Sequence, residues 1–147
     1  MANALIKGID YTGICVVYFC HDGHGKFVMA QRNLNARDEH GRWDIGGGAV
    51  EFNETIEDTI RQEIKQEYCT DVLDLNFLGF RDVHREHDGR PTHWLALDFK
   101  VLVDATMVQN GEPHKFENIG WFTFDTMPAN VHSQFPKFLE LYKSKLH

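Results

Sequence analysis

Cysteine is scarce: Cys15, Cys20 and Cys69 are the only three in a chain of 147 residues, an odd number with no CxxC spacing. That excludes a disulfide framework, argues against a structural zinc site, and leaves reduced thiols in a cytoplasmic protein as the expectation. A basic stripe or tail is missing too. The formal charge is −7, with lysine and arginine scattered along the chain, so duplex nucleic acid and anionic membrane are poor partners. No stretch approaches the ~18 apolar residues a membrane span needs. The segment Met1 to Asp10 lacks the basic start and apolar run of a secretory signal.

What is present is enough apolar material, 42% of residues, for a single well-filled core. No repeat, low-complexity tract or linker divides the chain, so a single domain over residues 1–147 is expected. Its negative charge points to a particular kind of anion site. An acidic protein binds polyphosphate when a divalent cation sits between the two, which turns attention to carboxylate clusters.

The local patterns alternate between strand and helix signals. Gly13 to Cys20 is apolar and rich in β-branched residues, and Lys26 to Ala30 follows a turn at His21 to Gly25, which reads as a hairpin with Arg32 just past its end. Asn33 to Arg42 is polar loop. Gly46, Gly47 and Gly48 look too permissive for any regular element, so a glycine loop is expected to feed a helix. Asn53, Glu54 and Thr55 offer a helix start, and Ile56, Ile60 and Ile64 recur every four residues, predicting a helix to about Tyr68. Val72 to Val83 and Thr92 to Val103 read as antiparallel strands around a turn at His87 to Pro91. A short strand at Ile119 to Phe124 and a final helix carrying Phe135, Phe138, Leu139 and Tyr142 complete the series. The fold class is α+β, with helices on opposite faces of the sheet.

Glu63 and Glu67 lie four apart on one helix face, with Gln66 beside them and Glu54 at the helix start. Two carboxylates at that spacing repel each other, and Glu67 sits at the helix end the dipole makes unfavourable for negative charge. A hard divalent ion would relieve both, taking oxygen ligands and completing its shell with phosphate. A carboxylate not fully committed to the ion could activate water. Read alone, the same residues also fit a solvated acidic helix face. Arg32 is a candidate for a substrate phosphate or an ordinary surface arginine. His84 and His87 fall on opposite faces of a regular strand, which argues against a zinc pair between them. Phe19, Trp94, Phe99 and Trp121 could stack a base but suit a core equally well.

The run from Gly48 through Glu51 and Glu54 to Thr55, followed by Gln62-Glu63-Ile64-Lys65-Gln66-Glu67, resembles the Nudix box, G-x5-E-x7-R-E-U-x-E-E-x-G-U, where U is a bulky aliphatic residue. Gly48, Glu54, Glu63, Ile64 and Glu67 fall in register. Gly46 to Phe52 is similar to the family's lead-in, and Glu112 to Glu117 before Trp121 to its later segment. The resemblance implies a Nudix α/β/α sandwich, with a mixed, largely antiparallel sheet between helices. It implies magnesium or manganese as cofactor and MutT-like hydrolysis of a diphosphate linkage in a nucleoside triphosphate or a nucleoside-diphosphate-linked small molecule. A homodimer is a family-level expectation.

The roles the resemblance implies are catalytic for Glu63, Glu67 and Glu54, and metal-binding for Gly48, Glu63, Gln66, Glu67 and Glu117. Substrate binding is expected at Arg32, Gly47, Gly48 and Glu51. Four box positions depart from the pattern. Gln62 stands for the arginine, Gln66 for a glutamate, Cys69 for the glycine and Thr70 for the last aliphatic residue. Gln62 cannot pair with Glu54, and Arg61 points about 100° away. Losing glycine at Cys69 predicts a changed helix end. These departures motivate the alternative of a catalytically weak Nudix-fold nucleotide-binding or sensor module.

Overall fold

The structure is a computed structural model describing residues 4–147; the first three residues of the segment Met1 to Asp10 lie outside that range. A seven-stranded sheet runs in the order β3 (Trp43–Asp44), β2 (Phe27–Arg32), β1 (Gly13–His21), β6 (Arg90–Val103), β5 (Val72–His87). Two more strands sit beside this path: β4 (Gly46–Ala49) pairs with β1, and β7 (Phe116–Phe122) pairs with β2. β1 and β6 run parallel and every other pair is antiparallel.

Strand alternation on β1 decides what covers each face. Val16, Tyr18 and Cys20 pack with Ile60, Ile64 and Tyr68 of α1 (Ile56–Tyr68). Phe19 faces the other way, onto Phe135, Phe138 and Tyr142 of α2 (Phe135–Tyr142). The helices therefore lie on opposite faces, as expected from an α+β sandwich. Each large apolar side chain so buried stabilises the fold by roughly 1.5–3 kcal/mol. All three cysteines are free thiols. No helix among the described residues is long and apolar enough to cross a membrane.

The glycine run departs from its expected place in a loop. Gly46 to Ala49 form a strand, pairing Tyr18 to Cys15 of β1 in antiparallel register. β1 meets β2 at a single pair, His21 with Phe27, so the rest of that edge is open to β4. The glycines are needed for close approach, not for a turn. A Cβ at Gly46 would strike the Tyr18 ring, and one at Gly48 would strike the Glu63 carboxyl group.

The hairpin between β5 and β6 is longer than its sequence suggests. Its turn contracts to Asp88-Gly89, both at positive φ (51° and 75°), as a tight two-residue hairpin loop requires. Register therefore continues outward to His87 opposite Arg90. β7 likewise begins earlier, at Phe116, and ends at Phe122. Helix α1 ends at Tyr68 as predicted, but its termination is not altered by the missing glycine. Cys69 itself adopts the left-handed conformation (φ 60°, ψ 20°) and its N–H bonds the Lys65 carbonyl. The following chain holds this end in place, with Gly111 N–H on Glu67 O at 2.9 Å and Gln109 N–H on Tyr68 O at 3.0 Å.

Candidate active site

Thr55 caps α1 by accepting a bond from Asp58 N–H at 3.1 Å, satisfying one of the helix's unpaired donors. The helix then carries Glu63 and Glu67 on successive turns toward β4. Glu67 turns inward and is only 2% exposed. Its carboxylate accepts from the Tyr18 hydroxyl and the Gly47 N–H. The nearest ammonium, on Lys115, stands 4.0 Å off. Burial pushes the Glu67 carboxyl up to about 8, against the pull of Lys115 and with the added repulsion of Glu112.

Glu63 is half-buried against Gly48. Its proton affinity is also raised, first by burial; Lys115 opposes the shift, while Glu112, Glu54 and Glu51 add to it. Two carboxylates one turn apart, both short of positive charge, meet a strand whose residues bear no side chain at Gly47 and Gly48. That oxygen-rich donor set fits a hard divalent cation.

The remaining candidates occupy varied surroundings. Glu54 accepts from Glu51 N–H at 2.9 Å and Thr59 Oγ1 at 3.2 Å, hydrogen bonds that hold it without any cation. Gln62 is exposed, and Arg61 turns to Glu57 at 2.9 Å and to the Val72 carbonyl at 3.3 Å. Glu51 is bound by Lys7 at 2.7 Å. The Gln66 side chain is exposed at the helix surface, and Glu117 is exposed on β7 beside the irregular pairing at Gln31 and Arg32.

A cavity of about 360 Å³ opens beside β4, lined in part by Gly47, Gly48, Glu67, Lys115, Arg32 and Trp94. Glu51, Glu54, Glu63, Gln66 and Glu117 lie outside its lining. Arg32 reaches it, but its guanidinium is held by Asp38, through the carbonyl at 2.9 Å and the carboxylate at 3.0 Å. Arg37 is the one lining arginine without an ion pair among the described residues. It sits in the aperiodic loop Asn33 to Arg42, where no sequence pattern marks it. Asp44 also lines the cavity; burial pushes its carboxyl up to about 7, with Arg32 pulling the other way.

Tyr18 was legible only as a core residue, although strand alternation places it on the α1 face where Glu67 arrives. Glu112 opens the segment that ends at Glu117. It is half-buried and lies 3.5 Å from Lys115, close enough to Glu63 and Glu67 to raise both. Of the four aromatics weighed as base platforms, Phe19 and Phe99 are buried in the core and Trp121 packs against it. Trp94 lines the cavity.

The structure thus sets two helix glutamates against a glycine strand that lines a cavity, on a mixed sheet between two helices. The NUDIX domain matches residues 12–142. The chain belongs to the Nudix family and is a Nudix pyrophosphohydrolase by that membership. Among solved structures, a MutT NUDIX hydrolase from Burkholderia pseudomallei is similar at TM-score 0.78 and 22% identity, over 90% of this chain and 98% of that one. A MutT protein from Methanosarcina mazei aligns at TM-score 0.73 and 21% identity, over 91% and 94%. The NUDIX domain of Shewanella oneidensis NrtR, solved with ADP ribose, aligns at TM-score 0.73 and 14% identity, over 93% and 90%.

Proposed function

We propose that this protein hydrolyses a diphosphate linkage in a nucleoside triphosphate or a nucleoside-diphosphate-linked small molecule, with magnesium or manganese as cofactor. The observation that carries the reading is the meeting of Glu63 and Glu67, both short of positive charge, with Gly47 and Gly48, of which Glu67 and both glycines line the cavity. Glu63, Glu67, Gln66 and the Gly48 carbonyl would hold the ion, with Glu117 or its neighbour Glu112 reaching in from the later segment. When bound, the divalent ion would neutralise phosphate charge and favour ionisation of water.

The protein's own groups do the rest. Glu63, its proton affinity raised by burial, takes the proton of the attacking water. The new bond forms from water oxygen to phosphorus, and the bond from phosphorus to the bridging oxygen breaks, the electron pair leaving on that oxygen. Products are a nucleoside monophosphate with pyrophosphate, or two monophosphates. Tyr18 and the Gly47 N–H hold the Glu67 carboxylate in place. Lys115 and Arg37 receive phosphate oxygens, with Arg32 available if Asp38 yields it. Glu54 ties the start of α1 to the Glu51 backbone just past β4, Glu51 pairs with Lys7, and Trp94 offers an apolar face to the substrate.

This reading takes the protein to be cytoplasmic, with reduced thiols, acting on a small nucleotide and not on duplex nucleic acid or membrane; a homodimer is its expected state. A sensor reading is favoured by one pair of observations: an exposed Gln62 stands where the family has the arginine that would pair with Glu54, and Gln66 brings no charge. The experiment is incubation with nucleoside triphosphates, ADP-ribose and dinucleoside polyphosphates plus magnesium or manganese, measuring phosphate products. Turnover that falls about 10²–10⁴-fold in Glu63→Gln is expected. Binding of a nucleotide with no turnover above the Glu63→Gln control would overturn the enzyme reading in favour of the sensor.

A further inference from the structure

The outer part of the β5–β6 hairpin carries a cluster unrelated to the cavity. His84 and His93 are directly opposed across the strands. Asp82 lies two residues before His84 and so shares its face. Val83 and Arg85, on the opposite face, line the cavity. His93 is on the face that packs α1 further along the sheet, as alternation from Leu97 and Phe99 requires, but at this outer end it is only half-buried. Asp82 and His84 are exposed and His93 is half-buried.

The geometry is that of three ligands waiting on one side. The two imidazole rings stack with centroids 4.1 Å apart at 22°. The His93 Nε2 lies 3.0 Å from Asp82 Oδ1. One ligating atom from each of the three residues falls within 4.8 Å of the others. Ligand atoms around a tetrahedral ion with bonds of about 2.0 Å sit about 3.3 Å apart, so modest side-chain rotation closes the set. Thr12 Oγ1 lies 3.1 Å from His93 Nδ1, fixing the far ring nitrogen as outer partners of metal-bound histidines do. Among the described residues no lysine or arginine pairs with Asp82, so its charge is available.

We propose that Asp82, His84 and His93 form a second metal site, selective for a first-row transition ion of the zinc class. Two neutral imidazoles and one carboxylate suit such an ion far better than magnesium, which prefers oxygen alone. Three protein ligands leave water in the remaining position. The ion would tie β5 to β6 beyond the point where β1 supports them, on the face opposite the cavity. The site does not depend on the hydrolase reading.

The test is zinc binding to the whole protein by calorimetry, in excess magnesium so that the oxygen-ligand cluster at Glu63 and Glu67 does not report. The expected result is one zinc ion per chain with micromolar affinity, weakened about tenfold or more by either His84→Ala or His93→Ala. His84 is exposed and His93 half-buried outside the core, so the His84 variant should melt near the parent temperature. Cobalt provides a second readout, by selective broadening of the His84 and His93 ring resonances. Zinc binding that is absent, that survives both histidine substitutions, or that is lost in Glu63→Gln instead would overturn the proposal.

Discussion

The two sides of the cavity handle charge in opposite ways. On the arginine side, Arg81 meets Asp98 at 2.7 Å, Arg85 meets Glu39 at 2.7 Å and Arg32 meets Asp38 at 3.0 Å. On the α1 side, Glu67 has its nearest ammonium at 4.0 Å, and neither Glu63 nor Glu54 has a cation at ion-pair distance among the described residues. Apart from Arg37, the first side closes its charges within the fold, and the other leaves its carboxylates open. A formal charge of −7 cannot distinguish these arrangements, since it counts paired and unpaired carboxylates alike. The difference teaches where a ligand is needed: closed pairs join β5 to β6 and the strands to the loop over them, and open carboxylates store repulsion that an incoming cation relieves.

The largest effect should come from breaking a closed pair. Asp98 is fully buried, bound by Arg81 through two bonds at 2.7 and 2.8 Å and by the Tyr142 hydroxyl at 2.9 Å. Asp98→Ala leaves a buried guanidinium without its counter-charge and should cost about 3–5 kcal/mol, read by denaturant unfolding. Glu63→Gln, on the open side, should leave metal-free stability unchanged or slightly raised. Equal losses in the two variants would break the comparison.

A smaller effect is expected where α1 ends beside the open carboxylates. Cys69 holds a left-handed conformation (φ 60°) that costs a side-chain-bearing residue roughly 1–2 kcal/mol and glycine very little. Cys69→Gly should raise stability by about 1 kcal/mol, visible as a higher melting temperature. A decrease would mean that the cysteine side chain contributes more packing than its backbone costs.

The sequence carried the sandwich, both helices and the Glu63–Glu67 spacing because each rests on local periodicity. Isoleucines every four residues mark the buried stripe of α1, and strand alternation on β1 assigns one side chain to each helix. Glycines 46 to 48 misled because their reason is tertiary: they make room for Tyr18 and Glu63, residues roughly thirty positions before and fifteen after in the chain. Cys69 misled for a related reason, since bonds from Gln109 and Gly111 fix a helix end that local preference would leave to glycine. Arg37 and the pairing of Arg32 with Asp38 depend on how one loop folds back over the sheet, which no period encodes. The opposition of His84 and His93 required the hairpin register, set by the turn at Asp88 and Gly89.

The central claim, that the α1 carboxylates await a cation, is tested most directly by thermal melting with and without magnesium across pH. Glu67 is raised from its ordinary 4.5 to about 8. Between those values the folded, metal-free protein keeps a proton that the unfolded chain has lost. Its stability contribution is therefore full below about pH 4.5 and lost as pH rises through about 8. Magnesium displaces that proton, so its stabilisation should be largest at the alkaline end, about 5 °C near pH 8 at saturation. Glu67→Gln should lose both the pH slope and the magnesium response. A parent protein indifferent to magnesium near pH 8, or a Glu67→Gln variant that responds as the parent does, would contradict the claim.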